Sequence, residues 1–121
     1  MNVEIIKGKK AKSYKIKENI TREDLLDAGF KDGHWRCKEE CVSKNIRLIG
    51  DIELDIYVQT DPIQFDDFEN IKVMDFAFGQ PYTPFYGENY KKYINDSPYL
   101  QEVIKRYNEV MDGLGIFEEA G

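Results

Sequence analysis

Three residue types able to work on a metal or a thiol stand close together at His34-x2-Cys37-x3-Cys41. With Asp32 or Glu40 as a fourth donor they would offer an N/S/O set of the kind zinc takes. Structural zinc sites usually draw on two ligand pairs well apart in the chain. No second pair follows here, so the spacing alone gives no metal site. Nor does it favour a thiol nucleophile served by His34, because odd and even positions of one strand project to opposite faces. In a reducing compartment Cys37 and Cys41, the chain's two cysteines, are expected to be free thiols.

Carboxylates are the next candidates. Glu53 and Asp55 would share a strand face, yet nothing around them in sequence lifts either pKa toward general-acid or general-base work. There is no Walker loop, dinucleotide fingerprint, nucleophile elbow or His-Glu-x-x-His. The expectation is a protein that is not an enzyme, with no catalytic residue, no metal and no cofactor.

Binding is the remaining chemistry, and one stretch stands out for it. Phe76 to Tyr93 holds seven of the chain's sixteen aromatic residues together with Gly79, Pro81, Pro84 and Gly87. Those breakers exclude a helix interior or central strand. Rings left in water forgo roughly 1.5–3 kcal/mol each, so the loop must pack on the domain, on another subunit or on a ligand. As a ligand site, Tyr82, Phe85 and Tyr86 would stack a planar group, Gln80, Thr83 and Asn89 would read its edge, and Lys91, Lys92 and Arg106 would face a phosphate. As structure, the same rings would plug the open end of the sheet beneath the main helix.

Charge marks a second surface. Residues 1–50 carry twelve basic and eight acidic groups, net +4, and residues 51–121 carry five and fifteen, net −10. The acidic half is not suited to a nucleic-acid backbone. It reads either as a solvated face or as an acidic face around Asp51, Glu53, Asp55 and Asp61 that meets a basic groove on a partner.

The elements that would carry these residues are legible from local signals. The 121 residues fit a single domain, 1–121, with no run of eighteen apolar residues and no charged leader followed by an apolar stretch, which points to the cytoplasm and away from membranes. Val3–Ile6 and Tyr14–Lys17 read as paired short strands, with the six lysines between residues 7 and 17 guarding an edge. Thr21 caps a helix over Arg22–Ala28 that Gly29 stops, and Ile20 and Leu25 stand at the spacing of a hydrophobic staple. Asp32-Gly33 is expected to be a hairpin turn. Strands follow to Ile49 and, after Gly50-Asp51, over Ile52–Gln59, where Ile52, Leu54, Ile56 and Val58 alternate with polar residues. Asp61-Pro62 ends that strand, and Ile71–Phe78 reads as another. Ser97 and Pro98 open an amphipathic helix through residue 112, with Leu100, Val103, Ile104, Tyr107, Val110, Met111 and Leu114 on one stripe. The fold class is therefore α+β: an antiparallel meander of five to six strands, a short helix near 22–28 and a long one near 98–112 packed on the sheet.

The segments Thr21–Phe30, Gly79-Gln-Pro-Tyr-Thr-Pro-Phe-Tyr86 and Tyr99–Asp112 resemble small phage and prophage proteins of Gram-positive bacteria. That resemblance assigns no residue roles. It implies a setting, the cytoplasm of a bacterial host, where accessory proteins of this size block defences. The first expectation is a non-enzymatic, anti-CRISPR-like inhibitor whose acidic face occupies a host defence protein. The second is an oligomeric sponge that sequesters a nucleotide signal through loop 78–93. The third is a structural or assembly protein, a homo-oligomer using that loop as its interface.

Overall fold

A computed structural model describes residues 12–67, 69–85 and 98–120. The expected strand Val3–Ile6, the Ser97 cap, and the candidate residues Tyr86, Asn89, Lys91 and Lys92 lie outside them. The elements run β1 (Tyr14–Ile16), α1 (Arg22–Asp27), β2 (Lys31–His34), β3 (Cys37–Ile49), β4 (Ile52–Thr60), β5 (Ile63–Gln64), β6 (Ile71–Asp75), β7 (Gln80–Pro81), a 3-10 turn (Thr83–Phe85), α2 (Pro98–Gly113) and β8 (Phe117–Glu119). The main sheet has the order β2-β3-β4-β6-β7, antiparallel throughout, with β5 also paired to β4. This is the α+β class that the periodicities indicate.

The core lies between one face of that sheet and α2. Ile52, Leu54, Ile56 and Val58 are buried on β4, as alternation requires, and Leu100, Val103, Ile104, Tyr107 and Met111 are buried on α2. The helix ridge and the strand face are each apolar on one side only, so stacking them is the arrangement that removes both from water. At the other end of the core α1 is signed at both termini. Thr21 Oγ1 accepts from the Asp24 N–H and the Asp24 carboxylate accepts from the Thr21 N–H, a reciprocal box that satisfies two of the helix's free donors. Gly29, at φ +98°, turns the chain so that the Phe30 N–H reaches the Leu25 carbonyl at 3.1 Å and the Gly29 N–H reaches Leu26 at 3.0 Å. That is a Schellman ending, and it delivers Phe30 to the core beside Leu25.

Two local expectations need correction. Asp32-Gly33 is not the hairpin turn. It lies within β2, where Gly33 (φ +86°) sits at a bulge, and Trp35-Arg36 make the turn between His34 and Cys37, which pair across it. The bulge is unequal: two steps along β2, from His34 to Asp32, oppose five along β3, from Cys37 to Val42. The strand expected over Ile71–Phe78 ends at Asp75, because residues 76–79 turn the chain so that β7 can return beside β6. Phe76 and Phe78 are consequently exposed on that turn instead of lining a strand face. The strand expected at Tyr14–Lys17 is present as Tyr14–Ile16 and pairs with Phe117–Glu119, forming a second, two-stranded sheet. Tyr14 anchors this closure: its N–H and the Ser13 hydroxyl both donate to one Asp67 carboxylate oxygen at 2.8 Å, and its phenol donates to Asp112.

Candidate binding site at the hairpin tip

Of the residues selected as a ligand site, the four whose side chains are described, Gln80, Tyr82, Phe85 and Arg106, are not brought together. Tyr82 and Phe85 belong to the core, Phe85 meeting Tyr107 edge to face at 5.4 Å and Tyr82 meeting Tyr99 at 6.1 Å. Burial pushes the Tyr82 phenol up to about 12. These two rings fill the space under α2, as the packing alternative anticipates, and offer no free face for stacking. Gln80 is exposed on the edge strand β7, while Arg106 lies on the outer side of α2 paired with Glu102 at 2.9 Å.

The acidic group also separates. Asp51 and Asp61 occupy the turns at opposite ends of β4, about 30 Å apart at 3.4 Å per residue. Glu53 is half-buried opposite Arg47 on β3. Asp55, expected on a solvated face, is only 4% exposed. Its burial is the correction with the largest consequence, since a carboxylate taken out of water must be compensated by charge and hydrogen bonds.

The compensation comes from the β2–β3 tip, which folds over the outer face of β4. His34 Nε2 lies 2.9 Å from both Asp55 oxygens, and Arg36 Nη2 donates to Oδ2 at 3.1 Å. The Arg36 backbone N–H donates to His34 Nδ1 at 3.0 Å, so the imidazole proton sits on Nε2 and points at Asp55. Arg36 Nη1 reaches the Glu69 carbonyl at 3.2 Å, tying the tip to the segment before β6. Arg36 Nε is the one buried polar side-chain atom without a partner among the described residues.

Above this buried ion pair stands a pile of rings. Tyr57 lies on the sheet, His34 stacks on it at 4.8 Å with 26° between planes, and Trp35 stacks on His34 at 5.6 Å with 25° between planes. The Arg36 guanidinium also faces both aromatic rings, at 5.0 Å from Tyr57 and 5.5 Å from Trp35. Yet Trp35 itself is 81% exposed. A large ring is thus held in place from beneath and open to solvent above.

Both His34 nitrogens are engaged within the site, so the chain's single histidine has none left for Cys37. Cys41 is buried, and burial together with a hydrogen bond to Cys37 pushes its thiol up to about 12. Among the described residues no group of three or more His, Cys, Asp or Glu side chains is placed to hold a metal ion. Among them, too, no helix is long and apolar enough to cross a membrane.

Sequence reasoning weighs His34 for metal and thiol chemistry, favours neither, and singles out no role for Trp35. The available signal is the run His34-Trp35-Arg36, three large side chains directly after an Asp-Gly pair. Comparison with family models, with curated proteins and with solved structures returned no match.

Proposed function

We propose that this chain is a phage accessory protein that inhibits a host defence protein by binding it, without catalysis, and that Trp35 is the anchor of that interface. The observation carrying the proposal is an indole 81% exposed at the end of a three-ring stack whose lower members are buried. Trp, Tyr and Arg dominate interface hot spots because they bury a large area while losing little rotamer freedom. Here much of that ordering cost is already met by His34 and Arg36 before a partner arrives. The resemblance to phage proteins supplies the setting. The acidic-mimic form of the idea loses Asp55, whose charge Arg36 and His34 satisfy internally.

Capture from host lysate with an affinity-tagged chain tests the reading. Trp35→Ala should cut affinity for the captured protein at least about thirtyfold, the equivalent of a 2 kcal/mol hot spot, while lowering stability by only about 1 kcal/mol through the lost contacts with His34 and Arg36. As Trp35 is the chain's one tryptophan, its emission should shift to the blue when the partner covers it. Equal capture by wild type and Trp35→Ala would rule out the anchor role.

A further inference from the structure

Beside the ring stack lies a groove of about 570 Å³, within the range of roughly 300–1,000 Å³ in which small ligands and single side-chain clusters are held. Its floor is apolar: Ile16 of β1, Tyr57 of β4, Ile63 of β5 and Phe65. Phe65 is fixed from behind by Phe117 at 4.6 Å. One wall is Asn70, 3% exposed, whose amide donates to the Tyr57 carbonyl at 2.7 Å and to Gln59 Oε1 at 2.9 Å. The groove is therefore shaped by buried hydrogen bonds and not by loop side chains alone.

Among the described lining residues the charge has one sign: Asp66 and Glu69 are the ionisable groups besides Tyr57, and none of these residues is Lys or Arg. Further acid stands at the same end of the sheet, with Asp61 exposed in the β4–β5 turn and Glu40 held by the Thr60 hydroxyl at 3.3 Å. Lys15, next to Ile16, leaves by strand alternation on the opposite side of β1, where it meets Glu118 at 3.9 Å. Arg36 joins the groove to the tip, because the Glu69 whose carbonyl it holds is also a groove residue.

From this charge and this floor we infer that the groove docks a basic segment of the partner protein, one that seats an aliphatic or aromatic side chain on Ile16, Ile63 and Phe65 and places Lys or Arg against Asp61 and Glu69. The inference rests on the binding role given to Trp35 and extends it. One partner surface would cover the indole and the groove together, the apolar side chain supplying affinity and the carboxylates supplying orientation and rate of approach.

Three short peptides serve as probes, with Leu alternating with Arg, Leu alternating with Glu, and Ser alternating with Arg. Amide shifts of the ¹⁵N-labelled chain locate each one, and Kd is measured at low and higher salt. The Leu/Arg peptide should shift Ile16, Ile63, Phe65 and Asn70, and the other two should bind at least about tenfold more weakly. Asp61→Lys with Glu69→Lys should raise its Kd about tenfold and remove most of the salt dependence. Shifts centred elsewhere, equal binding of the Ser/Arg peptide, or an unchanged Kd in the charge-reversed chain would each overturn the inference. Lysate capture separates the two readings. Capture lost in Trp35→Ala but kept after charge reversal removes the groove alone, whereas capture kept in Trp35→Ala removes the anchor even if the peptide occupies the groove.

Discussion

Replacing Arg36 by Met tests whether the tip is held down by a buried ion pair. The substitution keeps most of the side-chain length but removes the guanidinium that bonds Asp55 and the Glu69 carbonyl and that faces Tyr57 and Trp35. Asp55, 4% exposed, would then keep only His34 as a donor. Breaking a buried pair from one side costs about 3–5 kcal/mol. The remaining His34 bond and the partial exposure of Arg36, 17% at its side chain, place this case near the lower limit. Losing two cation–π contacts, each about 0.5–1 kcal/mol, raises it again, so about 3–4 kcal/mol is expected. For a chain of this length that lowers Tm by about 14 °C. Urea unfolding followed by far-UV circular dichroism measures it. The double variant Arg36→Met with Asp55→Leu removes both charges and fills the site with apolar volume, so it should return to within about 1.5 kcal/mol of wild type. A cost below about 1 kcal/mol for Arg36→Met would mean that the pair behaves as an exposed one. A double variant no better than the single would mean that lost packing, not the stranded carboxylate, sets the cost. Either result refutes the account of the tip.

Three further outcomes follow from the packing. Phe85→Ala should cost about 3–5 kcal/mol in unfolding free energy, since the ring is 1% exposed against Tyr107; a change under about 1 kcal/mol would return it to the candidate ligand residues. Iodoacetamide at about pH 8 should add one group to the native chain, at Cys37, and two in urea, because Cys41 is 2% exposed with its thiol pushed up to about 12; rapid double alkylation of the native chain would contradict this. Tyr82 is raised to about 12 by burial, against about 10 for a free phenol, and Tyr14 is raised by burial and by Asp112. The folded state therefore binds these protons more tightly than the unfolded state, so the stabilisation is full below about pH 10 and is lost as pH rises toward 12. Tyrosinate absorbance at about pH 11 should show part of the eight tyrosines un-ionised until the chain unfolds, and simultaneous ionisation of all eight in the folded chain would refute it.

How far the site was legible follows from the range of the forces that make it. Thr21, Gly29 and Phe30 act within one helix and its ends, so their chemistry can be read residue by residue. The same holds for the stripe on α2, whose spacing states which face is apolar before any partner is known. The burial of Asp55 escapes such a reading because alternation along β4 says only that it faces away from Leu54 and Ile56, and not that anything covers that second face. The cover comes from residues 34–36, about twenty positions earlier in the chain. The Asp32-Gly33 pair misleads for a related reason. A glycine at positive φ serves a turn or a bulge equally well, and the strand register decides which.

By itself the sequence determined the class of fold, the position of both helices, the apolar face of β4 and the absence of known catalytic motifs, because each depends on periodicity or on contacts within a few residues. Tertiary structure alone decided that Tyr14 pairs beside Phe117, that Tyr82 and Phe85 lie inside, and that Arg36 neutralises a carboxylate to which His34 donates, while Trp35 is lifted into solvent. The physical reason is common to all three. A polar or aromatic side chain takes its role from whether water reaches it, and that is settled by segments distant in sequence that fold across it.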